Sequence, residues 1–366
     1  MSDRINILFT TSEGTLTGAT HSLLYLAEGL ADKGHFVYLA CPQNSLLYVR
    51  LNHPNVKKMA VEFRNKFDIA SIRTVRDIIL QNSIDLINAQ QSADRYISIF
   101  AKKLYKLPVR VIHTRRQKPL SSGGAIQRRF YVRNTSKIIA VSHNLKKTLV
   151  GLGYPANHIE VILNGMHPSF FERADISKTK LLREKFNIEK GERVIGCISR
   201  LKNQEQLIRA AALLPDDITL MFVGIEPGFF DVLTRQLDIS NRIIYAGIVP
   251  REEVVDYYRL FDLFVLPSTM DGFGLVLVEA MGLGVPVIGT RSQGIVDVID
   301  NEKNGLWFKD GDIHELADKI MLVLEDSKER KRITLNGMVA AREIFTIERT
   351  IDNYETFFKK LIANRV

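Results

Sequence analysis

A chain of 366 residues exceeds what one ordinary hydrophobic core serves and suits two domains of common size. Its 46% hydrophobic and 25% charged residues are ordinary globular composition. No apolar run approaches the roughly 18 residues of a membrane span and no signal-peptide core opens the chain, so spanning and export are disfavoured and a cytoplasmic location is expected.

Charge is unevenly spread. Residues 1–165 hold 23 Lys and Arg against 10 Asp and Glu, whereas the whole chain nets only +9, so the second half is acidic. All thirteen basic residues between Lys102 and Lys147 occur without a single acid. A positive field of that length suits, in this order, an anionic membrane surface, a phosphate-bearing acceptor or nucleic acid. The first makes a peripheral position at the inner face of the membrane an expectation, and no nucleic-acid partner is expected. Cys41 and Cys197 stand far apart at apolar runs and read as buried free thiols, as a reducing compartment allows.

In chain order, an apolar strand over residues 5–10 leads into a loop with Gly14 and Gly18. A helix follows with Leu23, Leu24, Leu26, Ala27 and Leu30 at helical spacing; it stops at Gly34 before a strand over 35–40. Gly14 and Gly18 do not make the dinucleotide fingerprint, and no acid ends the second strand, so nicotinamide binding is disfavoured. Strands over 56–61, 85–89, 109–113, 137–141 and 159–163 alternate with helices over 69–81, 93–105, 125–133 and 144–152. That alternation argues a doubly wound parallel sheet closing near residue 165.

Residues 166–192 read as a connector carrying a basic helix over 178–186. A second series follows: strands over 194–198, 218–223 and 243–246 with helices over 204–214, 228–237 and 251–260. Next comes the most informative stretch, Leu263 to Ile288. An apolar run ends in Pro267-Ser268, a loop with Gly272 and Gly274 opens a helix, and Gly282 and Gly284 close it before another apolar run. Glycines at a helix start leave unpaired N–H groups open to phosphate, and Asp271 and Glu279 flank them, a pattern suited to a sugar nucleotide. Helices over 313–324, 328–344 and 347–363 end the chain. Lys309-Asp310-Gly311-Asp312 holds an Asp-x-Asp, but Asp312 directly precedes a helix and reads as its N-cap, so no metal is assigned.

Asp271-Gly272-Phe273-Gly274-Leu275-Val276-Leu277-Val278-Glu279 resembles the Glu-x7-Glu signature of the retaining nucleotide-sugar transferases of glycosyltransferase family 4. Thr17-Gly18-Ala19, Gly34-His35, Ala140-Val141-Ser142, Asn164-Gly165, Ser199-Arg200-Leu201, Phe222-Val223-Gly224 and Asn304-Gly305-Leu306 match it in order and spacing. The resemblance implies an α/β protein of the GT-B fold, two Rossmann-like doubly wound parallel-sheet domains facing a cleft. Residues 1–165 would form the acceptor-side domain, with the helix over 347–366 packing back on it, and residues 193–346 the donor-binding domain.

By the same resemblance, Arg200 and Lys202 hold the donor diphosphate and Glu279 the ribose, while Asp271 stands near the donor sugar. Gly18, Gly224, Gly272, Phe273, Gly274, Leu275 and Val276 line the donor. His113, Arg115 and Arg116 are expected on the acceptor side, with a purely structural His113 as the alternative, and Arg115, Arg116 and Lys118 suit an anionic or lipid-linked acceptor or the donor phosphates. No cofactor is implied; the donor is a nucleoside diphosphate sugar, UDP favoured over GDP, and transfer is expected to need no metal. Three features depart from the family pattern. Asp271 replaces a glutamate, Arg116 occupies the usual histidine place, and the segment between Arg200 and Lys202 is three residues short. Arg116 and the short segment leave a non-catalytic nucleotide-sugar-binding subunit at a membrane as one alternative; an epimerase or hydrolase of the same fold is the other.

Overall fold

The computed structural model describes residues 4–15, 17–117, 124–172, 175–292 and 294–363. Two compact units result, one formed by Met1–Gly165 together with Ile347–Val366, the other by Met166–Thr346.

In the first unit, β1 (Asn6–Thr10), β2 (Phe36–Cys41), β3 (Val56–Ala60), β4 (Leu86–Ala89), β5 (Arg110–Arg115), β6 (Lys137–Ala140) and β7 (Ile159–Val161) form one parallel sheet. Its order is β3-β2-β1-β4-β5-β6-β7, with Ile7 paired to Val37 on one side and Leu86 on the other. The helix Gly18–Asp32 starts where the side chain of Thr17 accepts from the Thr20 N–H and Thr20 answers in a capping box. Its buried Leu23, Leu26 and Leu30 share a core with Ile7, Phe9, Val37 and Leu39.

The C-terminal helix Ile347–Ala363 belongs to this same core through Ile351, Tyr354 and Phe358. A Cβ at Gly29 would lie 2.1 Å from Cδ1 of Ile351, so only glycine lets the two helices approach this closely. Lys33 Nζ bridges Asp352 and Glu355 at 2.7 Å each, and Thr350 Oγ1 donates to the Leu163 carbonyl at 2.9 Å.

In the second unit, β8 (Arg193–Ile198), β9 (Ile218–Val223), β10 (Ile243–Gly247), β11 (Leu263–Leu266), β12 (Val287–Thr290) and β13 (Leu306–Phe308) make a parallel sheet of order β10-β9-β8-β11-β12-β13. Residues 166–192 pack as part of this unit: Phe170 is buried, and the Asp175 N–H donates to Asp256 at 2.9 Å.

Several element ends differ from the periodicity. The helix read over 228–237 is Asp231–Gln236 and that over 251–260 is Val254–Tyr258, because turns closed by Phe229 N–H on Glu226 and Glu253 N–H on Pro250 consume their first residues. The helix read over 204–214 is Glu205–Ala211, and the one over 328–344 runs as Ser327–Val339 followed by a π-turn over Ala340–Ile344. The three-residue strand β13 is too short to carry a period. β5 continues two residues beyond the expected 113, which decides where Arg115 points. Among the described residues no helix is long and apolar enough to cross a membrane. Cys41 and Cys197 are free and buried, and burial pushes their thiols up to about 11 and about 12.

Candidate functional site

In the second sheet the chain winds outward from β8 through β9 to β10, then returns beside β8 as β11 and winds the other way. Such a reversal parts the loops at the C-terminal ends of β8 and β11 and leaves a crevice where ligands of open parallel sheets bind. Arg200 and Lys202 follow β8, and Asp271 to Val276 follow β11, so both sets stand at this point.

Lys202 Nζ reaches across to Asp271 Oδ1 at 2.5 Å. The short segment after Arg200 still delivers the lysine because buried Gln204 braces it. Gln204 Nε2 donates to Ser199 Oγ at 2.7 Å and to the Arg200 carbonyl at 2.8 Å, and its Oε1 accepts from the Lys202 N–H at 2.6 Å. Asp271 Oδ2 is buried without a partner among the described residues. One carboxylate oxygen is thus held by a cation while the other is free for a donor such as a sugar hydroxyl. Arg200 is exposed, and no ion pair among the described residues includes it.

The loop after Asp271 enters the helix Leu275–Gly282 through Gly274, whose φ of 86° is left-handed. Leu277 N–H donates to the Gly274 carbonyl at 2.9 Å, while the N–H groups of Gly274, Leu275 and Val276 donate to no described residue. These are the orphan donors of a helix start, a geometry suited to an anion. Phe273 is buried with its ring edge-on to Phe345 at 5.7 Å, so its side chain anchors the loop and only its backbone faces the site. The loop after β12 braces it from behind. Ser292 Oγ donates to the Ser268 carbonyl at 2.7 Å, Gly294 N–H donates to the Asp271 carbonyl at 3.0 Å, and a Cβ on Gly294 would fall 2.2 Å from the Gly272 oxygen. Gly224, at φ 92°, crosses the end of β8 so closely that a Cβ would lie 2.9 Å from the Ser199 oxygen.

Glu279 is 1% exposed. Arg251 clamps it with both terminal nitrogens, Nη1 donating to Oε2 at 2.8 Å and Nη2 to Oε1, and Tyr258 OH donates to Oε2 at 2.9 Å. Phe170 lies under the Arg251 guanidinium at 4.7 Å. Burial beside this carboxylate drives the Tyr258 phenol well above its ordinary range, so it remains a donor. Sequence reasoning missed Arg251, Tyr258, Gln204 and Gly294. Arg251 sits in a turn 28 residues from Glu279, and nothing local marks it.

In the first unit, Gly18 opens the helix Gly18–Asp32 just after its cap. His113, Arg115 and Arg116 do not form one group. Alternation along β5 sends His113 and Arg115 to the face of the helix Ser92–Leu104. There Arg95 Nη1 contacts the His113 ring nitrogens at 2.7 and 3.0 Å, and burial first, then Arg95 and Arg115, hold the imidazole well below its ordinary pKa and neutral. Thr114 and Arg116 face the other side. Thr114 Oγ1 lies 3.3 Å from Tyr354 OH; Arg116 donates to Gln90 at 3.4 Å and Asn164 at 3.0 Å, its pKa lowered by burial. Lys118 lies outside the described residues. In the Asp-x-Asp, Asp312 caps the helix Ile313–Glu325 by accepting from Glu315 N–H, and Asp310 accepts from Gln206 at 2.9 Å.

Two doubly wound parallel-sheet units, one with an anion-ready loop at its switch point, define a GT-B glycosyltransferase architecture. The model of Glycosyltransferase Family 4 matches residues 16–170 and that of glycosyl transferases group 1 matches residues 178–338. The chain belongs to the group 1 glycosyl transferases. It is 25% identical over 361 residues, 93% of each chain, to N-acetyl-alpha-D-glucosaminyl L-malate synthase of Bacillus anthracis. It is likewise 25% identical over 94% of its length and 96% of the relative's to N,N'-diacetylbacillosaminyl-diphospho-undecaprenol alpha-1,3-N-acetylgalactosaminyltransferase of Campylobacter jejuni. Among solved structures, a glycosyltransferase from Rickettsia africae superposes with a TM-score of 0.86 at 19% identity over 99% of both chains. Anabaena Alr3699/HepE in complex with UDP and glucose gives 0.81 at 22% identity over 98% of this chain and 100% of its own.

Proposed function

We propose that this protein is a retaining glycosyltransferase that moves a hexose-type sugar from a nucleoside diphosphate, UDP rather than GDP, to an anionic or lipid-linked acceptor. The observation that carries the reading is the meeting, at one switch point, of Lys202, Asp271 and the unpaired N–H groups of Gly274 to Val276. Arg200 and Lys202 neutralise the charge that grows on the departing diphosphate, and the helix start receives its oxygens. Because the backbone donors of the helix start stand fixed before the bond breaks, they need no rearrangement as charge develops. Asp271 Oδ2 accepts from a hydroxyl of the donor sugar, and Glu279, kept rigid by Arg251, accepts from the ribose. The acceptor oxygen attacks on the face from which the diphosphate leaves, which retains the anomeric configuration. With two side-chain cations on the leaving group, transfer proceeds without a metal.

The UDP in HepE supports the choice of base, and the L-malate and diphospho-undecaprenol of two relatives support the choice of acceptor. Exposed Leu104 and Ile126, beside exposed Lys103, Arg129 and Arg133, suit a peripheral contact with anionic lipid. Incubation with UDP-, GDP- and ADP-sugars in EDTA, followed by NMR of the anomeric proton, tests the scheme. Transfer from a UDP-sugar with retained configuration, lost in Asp271→Asn and Glu279→Gln, is expected. Inversion, metal dependence, or product formed only without acceptor would each refute part of it.

A further inference from the structure

Arg95, buried, and Arg115, half-buried, make no ion pair among the described residues. Arg95 is 5% exposed, and its guanidinium carbon lies over the Tyr131 ring, 4.1 Å from the centroid. Arg115 is partly exposed and faces the Tyr154 ring at 6.0 Å. The Nε atoms of both are buried with no acceptor among the described residues, and neither side chain enters an ion pair there. Asp94, the neighbouring acid in the chain, attracts Arg95 through space, but its oxygens are held by other donors. Its two oxygens accept from the N–H groups of Gln90 and Gln91 at 2.8 to 3.1 Å, from Thr10 at 3.2 Å and from Ser12 at 3.4 Å.

The two guanidinium groups are also close enough to disfavour one another. Burial first, and the Arg95 charge second, bring Arg115 down to about 10. His113, neutral, offers one ring nitrogen to Arg95 and no charge. Tyr131 and Tyr154 cover the faces of the guanidinium groups and His113 and Tyr154 meet part of their N–H edges, but both Nε–H groups stay open, and buried donors left unpaired are costly. Both residues stand at the C-terminal end of the first sheet, Arg115 closing β5 and Arg95 in the first turns of the helix after β4, where parallel sheets bind ligands.

We propose that Arg95 and Arg115 form an oxyanion site that receives the phosphate or carboxylate of the acceptor. Planar N–H forks match either group, and the site lies on the His113 face of β5, away from Arg116. That the anion belongs to an acceptor rests on the transferase reading above; the anion site itself does not.

The test uses the full chain with inorganic phosphate or malonate, at ionic strength matched with chloride, and with UDP absent or saturating. Calorimetric titration is expected to show binding of at least one anion that UDP does not displace, weakened about tenfold or more in Arg115→Gln and Arg95→Lys. The favoured anion tells a phosphate-bearing acceptor from a carboxylate one. UDP affinity is expected to stay within about twofold of wild type in both variants, since neither residue belongs to the second unit. If Arg115→Gln does not fold, Arg115→Lys takes its place. No binding beyond chloride, binding that UDP displaces, or unchanged affinity in both variants would overturn the proposal. Anion binding that persists while no nucleotide binds would sink the transferase reading and leave this site standing.

Discussion

Replacing Arg251 by methionine is expected to destabilise the second unit strongly although the residue lies in a surface turn. The change strands a carboxylate that is 1% exposed and leaves it only the Tyr258 hydroxyl. Breaking a buried pair on one side costs about 3–5 kcal/mol. The Arg251 side chain is itself 27% exposed, and water entering its place reduces the figure to about 2–4 kcal/mol. For a unit of this size that lowers the melting temperature on the order of 5–15 °C. The double variant Arg251→Met, Glu279→Leu removes both charges and is expected to recover most of the loss, since an apolar pair often replaces a buried ion pair at little cost. Calorimetry on the full chain reads the midpoints, which are compared directly because two units need not unfold as one transition. A single variant melting within about 2 °C of wild type, or a double variant no more stable than the single, would refute the reasoning.

Lys202→Met removes the cation from Asp271 and the leaving group together, and is expected to lower kcat about 100-fold or more with a small change in donor KM; an effect on KM alone would place Lys202 in ground-state binding. Gly294→Ala drives a Cβ against the Gly272 oxygen, so the donor loop must shift. The expected result is nucleotide affinity down roughly tenfold with faster hydrogen exchange over residues 271–276, and unchanged exchange there would exclude the brace. For Glu355, burial raises the pKa but the ion pairs with Lys33 and Lys359 outweigh it, bringing the carboxyl from 4.5 down to about 2. A depressed carboxyl stabilises fully above its unfolded pKa and loses that contribution as pH falls through the folded one. The first unit is therefore expected to lose stability between pH 4.5 and about 2, and Glu355→Gln to flatten that part of the melting-temperature profile; a parallel acid limb in the variant would contradict the assignment.

Much of the architecture was legible because parallel strands buried on both faces leave near-continuous apolar runs, and helices between them leave a period of 3.6. The anion cradle was legible for the same local reason: Gly272 and Gly274 at a helix start mark backbone donors without side chains in the way. Where turns replace the first residues of a helix, as before Asp231 and Val254, apolar spacing continues through the turn and the reading ran long.

Along the chain alone, then, the residue order determined two α/β series, a glycine-framed loop between two carboxylates, and a basic first half. Only the tertiary structure decided what those charges meet. Lys202 finds Asp271 across a strand reversal, Arg251 closes on Glu279 from 28 residues away, and Arg95 joins Arg115 while Arg116 turns to the opposite face. Periodicity specifies which face a residue occupies, but the partner opposite that face comes from another strand or helix, and its position is set by sheet order and register.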